Sequence, residues 1–292
     1  MPTAFWFRRL ALPFLIVLGL AGLWSACWLY AQARIEKELD REAARLQARG
    51  GQFVCEDRRW RGFPLRIAVS CASSRLELPG GPVIETARLE AAGYLNDLRR
   101  IVSRADRIAV EGEPKWSFRG RNIAVNAASK LPDRLAFSAS GEALTLADGR
   151  TPAIALDRLE VEGFIEGLPR DLSGDLKAVL SQAARLGSRL TIETFTAQMA
   201  DVRFTASGTV ELGPEGPTGT LTTTVSDYKG FLVDLERRGA ISSKAVRAGS
   251  VVIGLLQSGR KQADGEATLA LRFHAGQVFW GPFAVAEIPP LQ

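Results

Sequence analysis

Val202-Arg-Phe-Thr-Ala-Ser-Gly-Thr-Val-Glu-Leu212 alternates apolar and polar residues almost without a break. Successive side chains of an extended chain point to opposite faces, so Val202, Phe204, Val210 and Leu212 share one side. Arg203, Thr205, Thr209 and Glu211 share the other. That is the pattern of an antiparallel strand with one face covered and one in water. The same texture recurs at 65–71, 83–89, 108–111, 135–146, 154–164, 191–196, 219–225 and 266–274, punctuated by Gly, Pro, Asn or Asp. The strands recur too regularly for a helical bundle, and the strand–helix–strand alternation of a doubly wound fold is missing. The expected fold class is α+β with β dominant: a large antiparallel, curved β-sheet with a few packing helices.

Three stretches interrupt the strands. Leu172, Leu176, Val179, Leu180 and Ala183 fall on one face of a helix, and Phe231, Leu232 and Leu235 suggest a second. Ala245, Ala248, Val252, Leu255 and Leu256 suggest a third, stopped by Ser258-Gly259. The last two either cap an open end of the sheet or cover one face of it. Phe137-Ser-Ala-Ser-Gly141 and Phe204-Thr-Ala-Ser-Gly208 nearly repeat each other. Either the body is duplicated, or two strands share one need: an aromatic pointing inward, then a Gly where the strand bends.

Cys55 and Cys71 flank Gly62-Phe63-Pro64, a turn signal, with Phe63 midway between them. A hairpin centred there sets the two cysteines opposite each other, within reach of a disulfide worth about 3 kcal/mol. The alternative is two buried free thiols. A disulfide persists in an oxidising compartment. The same hairpin carries Arg58, Arg59, Trp60, Arg61 and Arg66. These either contact lipid headgroups or an anionic partner, or form a solvated face that packs Trp60 against the body.

Residues 10–30, LALPFLIVLGLAGLWSACWLY, hold no charge. As a helix they span about 31 Å, matching the hydrocarbon core of a bilayer. Trp6 lies before them, and Trp24, Trp28 and Tyr30 lie toward the far end, as interfacial aromatics do. A single spanning anchor is the expectation. A signal peptide cleaved after Ala31-Gln32-Ala33 and a lipoprotein signal ending at Cys27 are the alternatives; otherwise Cys27 is a small apolar residue. Arg8 and Arg9 argue for a cytoplasmic N-terminus. Arg34, Lys37, Arg41, Arg45 and Arg49 argue the opposite by count, but large domains are translocated regardless of such charges. Residues 31–49 lack Gly and Pro and carry Glu38–Arg41 and Glu42–Arg45 pairs, the mark of a solvated helical stalk. The expected organisation is a cytoplasmic N-terminus (1–9), a transmembrane anchor (10–30), a stalk (31–49) and a periplasmic β-rich domain (50–292), in a bacterial inner membrane.

Composition narrows the chemistry. A single His excludes multi-histidine metal sites within one chain, and three Cys exclude a four-cysteine zinc site. A net charge of +5, with basic and acidic residues interleaved, does not call for nucleic acid. His274 falls on the polar row of 266–274 beside Arg272. Ser226-Asp-Tyr-Lys229 fits S-x-x-K without the K-T-G that accompanies it in serine hydrolases of that type. Glu160 and Glu162 share a strand face, as glycosidase carboxylates do and as any solvated strand row does. No nucleophile elbow, phosphate-binding loop or dinucleotide fingerprint occurs. No catalytic residue, cofactor or metal is expected.

Val54-Cys55, Gly62-Phe63-Pro64-Leu65-Arg66-Ile67 and Val69-Ser70-Cys71 resemble the bacterial envelope family called domain of unknown function 2125. So do Gly276-Gln-Val-Phe-Trp-Gly281-Pro282-Phe and Ile288-Pro289-Pro290-Leu291. The resemblance covers nearly all of the chain after the anchor. It implies an inner-membrane-anchored envelope protein from an alphaproteobacterium and brings no catalytic residues. The ending and 204–225 also resemble AsmA-type envelope proteins, which implies a long sheet curled into a lipid-holding groove. The expected function is therefore non-enzymatic lipid binding or envelope maintenance, with phospholipid as the ligand. The alternative is a scaffold that docks an envelope protein partner through the stalk or the Arg-rich hairpin. A hydrolase acting on envelope polymers ranks third.

Overall fold

The structure, a computed structural model, describes residues 3–95, 97–112, 116–131, 133–147, 153–169, 176–237, 247, 266–274, 276–280 and 283–287. Leu172, the expected third helix and the motif at 288–291 lie outside these residues, as do the side chains of Trp6, Arg8, Arg9 and Leu235.

Helix α1 runs unbroken from Thr3 to Ala48. The uncharged stretch and the stalk are thus one rod about 69 Å long. Leu15, Val17, Leu20, Leu23 and Leu29 are exposed along it. Glu38 meets Arg41 at 2.8 Å and Glu42 pairs with Arg45 on its solvated part. The helix stops at Gly50, whose φ of 86° suits the left-handed cap and whose N–H donates to the Gln47 carbonyl at 3.0 Å. It is long and apolar enough to cross a membrane, as a signal sequence also is.

The rest is a single antiparallel sheet that meanders in chain order. Its strands are β1 (Gln52–Glu56), β2 (Arg59–Arg61), β3 (Arg66–Glu77), β4 (Val83–Tyr94), β5 (Asp97–Gly112), β6 (Trp116–Leu131), β7 (Arg134–Ala147), β8 (Ile154–Glu166), β9 (Arg189–Met199), β10 (Val202–Gly213), β11 (Gly216–Val225), β12 (Ala267–His274), β13 (Gln277–Trp280) and β14 (Phe283–Glu287). From β3 onward each strand pairs with the next; β1 and β2 both pair with β3. The sheet does not close on itself. The fold is α+β and β-dominant, as the alternation implies.

Two short helices accompany the sheet. α2 (Leu176–Arg185) lies against β10 and buries Ala183 and Ala184. α3 (Tyr228–Arg237) is capped by Asp227, whose carboxylate accepts the Gly230 N–H at 3.0 Å. Tyr228 and Leu232 of α3 pack with Val202, Val225, Ala267 and Leu269, and Phe204, Phe231 and Trp280 close around them. α3 therefore covers one face of β10–β12 rather than capping an open end.

Gly141 and Gly208 do different work despite their matching pentapeptides. Gly208 has φ 146° where the β9–β10 register shifts, so the bend is real there. At Gly141 the expected bend gives way to packing: a Cβ would stand 2.5 Å from Ile123 Cδ1.

Candidate functional site

Strand pairing shows what single strands conceal. Residues directly opposite each other in a ladder share a face. Following partners across the sheet gives the row Ile67, Gly93, Ile101, Ala127, Phe137, Gly163, Ile192, Gly208, Leu221, Leu271, Trp280. No member is polar except the Trp ring nitrogen. A second row on the same face runs Val69, Ala91, Ser103, Val125, Ala139, Val161, Phe195, Ala206, Thr223, Leu269. The Trp280 indole donates to Thr223 Oγ1 at 2.9 Å and removes the polarity of both.

The opposite face carries the row Ser70, Glu90, Arg104, Ala124, Ser140, Glu160, Thr196, Thr205, Thr224, Thr268. Ion pairs cross that face, including Arg75–Glu85, Arg158–Glu160 and Arg189–Glu211. The hydrogen bond to Glu77 and the Glu85 carboxylate raise the Arg75 pKa further. Along these rows the sheet is amphipathic, apolar on one side from β3 to β13.

Cover on the apolar side is uneven. Under α3, Val225 is 1% exposed and Ala267 is fully buried. In the two rows themselves, Ile67, Leu221 and Leu269 are buried toward the ends, whereas Ile101 is 58% and Val125 40% exposed between them. At about 25 cal/mol per Å² such exposed apolar surface favours an apolar covering.

Beyond these rows the strands change phase together. Arg88 on β4, Asn122 on β6 and Ala143 on β7 all take left-handed φ values, 49°, 51° and 47°. They flank one line of partners, Ala87–Arg107–Arg121–Glu142. A depression of about 380 Å³ lies there, lined by Glu85, Arg107, Arg119 and Arg121 among others.

The second feature is the junction of α1 with the cysteine hairpin. Cys55 and Cys71 form a disulfide with Cα atoms 5.4 Å apart. Their placement differs from the expected one. The ladder pairs Cys55 with Ser74 and Arg59 with Ser70, so the hairpin is centred after Pro64 rather than on Phe63. The turn closes with the Arg66 N–H on the Gly62 carbonyl at 3.0 Å, which extends the loop to Leu65 and shifts the register. The bond is therefore diagonal.

Gly62, Phe63 and Pro64 form the turn, with a cis bond before Pro64. This turn docks on α1. The Trp24 indole donates to the Pro64 carbonyl at 3.0 Å and the Trp28 indole to the Arg66 carbonyl at 3.1 Å. Phe63 meets Trp28 edge-on with ring centroids 5.7 Å apart. The Trp pair, expected only as interfacial aromatics, also holds the hairpin.

The hairpin arginines do not form one free basic patch. Arg58 reaches Asp40 at 2.8 Å and Glu36 at 3.6 Å on α1, Arg59 pairs with Asp57 and Arg66 with Glu90. Arg61 is exposed. Trp60 is half-buried beside Val69, its indole nitrogen sealed without an acceptor. Cys27 is a free, exposed cysteine on α1.

The residues weighed for chemistry sit in ordinary surroundings. Glu160 holds Arg158 on the polar face. Ser226 Oγ accepts the Arg203 N–H at 2.8 Å. His274 is exposed at the end of β12, opposite Gln277. Among the described residues no three His, Cys, Asp or Glu side chains gather as metal ligands do.

No curated protein matches the chain. Residues 28–289 match the family described as "Uncharacterized protein conserved in bacteria (DUF2125)". The match begins at Trp28, the residue that joins helix to hairpin, and spans the whole sheet, so the chain belongs to that bacterial family.

Proposed function

We propose that the protein is a single-pass, membrane-anchored, non-enzymatic envelope protein whose sheet carries phospholipid acyl chains on its apolar face. The observation that carries this reading is the row from Ile67 to Trp280, apolar across the sheet, with buried residues at both ends and Ile101 exposed between them. Acyl chains supply the missing cover without asking for hydrogen-bond partners, which suits a face that offers few. The retained-anchor reading is favoured over a cleaved signal because Trp24 and Trp28 hold the hairpin. A cleaved helix would leave those carbonyls and Phe63 without their partners. The disulfide favours an oxidising compartment and hence the periplasm. The scaffold alternative loses weight because Arg58, Arg59 and Arg66 are engaged within the chain.

The test is lipid retention. The full chain is purified in detergent and exhaustively washed, and phospholipid per chain is compared with that of an Ile101→Arg, Val125→Arg variant. The reading expects near-stoichiometric lipid on the parent and a clear loss on the variant. Equal lipid on both overturns it.

A further inference from the structure

We infer that the tip of the cysteine hairpin, Phe63 to Leu65, is a second membrane contact, inserted into the same leaflet as the outer end of α1. The inference rests on the anchor reading and extends it from the helix to the sheet.

The depth follows from the helix. Trp24 holds the Pro64 carbonyl, and the first charge after the apolar stretch is Arg34. Ten residues at 1.5 Å each set Pro64 roughly 15 Å below that charge along the axis. The headgroup layer on one side of a bilayer is only about 5–8 Å thick. A helix that spans with Arg34 at or within the headgroup layer therefore carries the turn to the edge of the hydrocarbon or below it.

The side chains suit that depth. Phe63 is 54% and Leu65 58% exposed, large apolar groups with no reason to face water at a turn. Leu95, on the adjoining β4–β5 turn, donates its N–H to the Leu65 carbonyl at 2.9 Å and extends the apolar tip. Tyr94 stands opposite Arg66 just above, with Arg100 over its ring at 5.9 Å. Arg61 and Arg100 are exposed at this level, where phosphates would meet them. An apolar tip under an aromatic and cationic collar is the profile of an interfacial contact. It sets the near edge of the sheet, where the apolar row begins, beside the bilayer.

The test uses the full chain with Cys27→Ala, leaving the disulfide intact. Single cysteines replace Phe63, Leu65, Ile16 or Arg88, each labelled with a nitrobenzoxadiazole dye. Each is reconstituted in phosphatidylethanolamine–phosphatidylglycerol vesicles with or without shallow doxyl-labelled lipid or deep doxyl-labelled lipid. Labels at 63 and 65 are expected to emit to the blue of the label at 88 and to be quenched by the shallow doxyl lipid. The label at 16, within the apolar part of α1, should be quenched by the deep one. Quenching at 16 with water-like, unquenched labels at both 63 and 65 overturns the hairpin contact alone. Loss of quenching at 16 overturns the anchor reading and the inference with it.

Discussion

Trp28 lies edge-on against Phe63 at 5.7 Å and donates its indole hydrogen to the Arg66 carbonyl, so one side chain joins the N-terminal helix to both limbs of the hairpin turn. Aromatic pairs in this geometry contribute about 0.5–1.5 kcal/mol beyond the area they bury. A double-mutant cycle of Trp28→Ala and Phe63→Ala, read by urea unfolding in detergent, should give a coupling of that size. Additive effects would mean that the rings do not support each other.

The disulfide should matter more than any surface ion pair. Removing Cys55 and Cys71 together as alanines is expected to cost about 2–5 kcal/mol, whereas breaking the exposed Glu38–Arg41 pair should cost under about 1 kcal/mol. Urea midpoints of the two variants test the order. A smaller loss for the cysteine variant would contradict the staple role.

Backbone glycine requirements separate a strand position from a turn. Gly219 has φ 144°, and an added Cβ would stand 2.3 Å from the Thr209 carbonyl oxygen. Gly80 has φ 60° with open space around it. Gly219→Ala should destabilise by well over ~1 kcal/mol, and Gly80→Ala by about that amount or less. Thermal melts that rank them the other way would argue against the β10–β11 pairing.

Leu232 is 7% exposed in the cluster under α3, while its neighbour Val233 is 47% exposed. Leu232→Ala should cost about 2–5 kcal/mol and Val233→Ala within roughly 0.5 kcal/mol. Equal losses would mean that α3 does not seal that end of the face.

Period-two alternation makes β3, parts of β4 and β5, β7–β12 and the β-dominant class readable from residues alone, because each holds its phase over several residues on at least one side of any step. β6 escaped notice because it changes phase at Asn122: Trp116, Phe118 and Gly120 precede the step, and Ile123, Val125 and Ala127 follow it. A left-handed residue near the middle of a strand splits its alternation into two short runs. The same step at Arg88 hid how far β4 extends beyond Leu89. The hairpin was legible as a hairpin, but its register depended on whether the turn closed at Phe63 or ran on to Leu65. The apolar row exists only across strands, so no window of sequence contains it. Arg58 finds its partners on α1, a contact between segments whose spacing carries no signal.

Lipid handling by this sheet requires acyl chains to meet its apolar face. The most direct measurement places a photo-crosslinking amino acid, in living cells, at successive positions of neighbouring strands: Val125, Ala139 and Val161 on the apolar rows, Ala124, Ser140 and Glu160 on the polar one. Radiolabelled phospholipid should be captured from Val125, Ala139 and Val161 and not from Ala124, Ser140 and Glu160, switching on and off with the two-residue period of the strand. Capture at both sets alike, or at neither, would contradict lipid handling by this sheet.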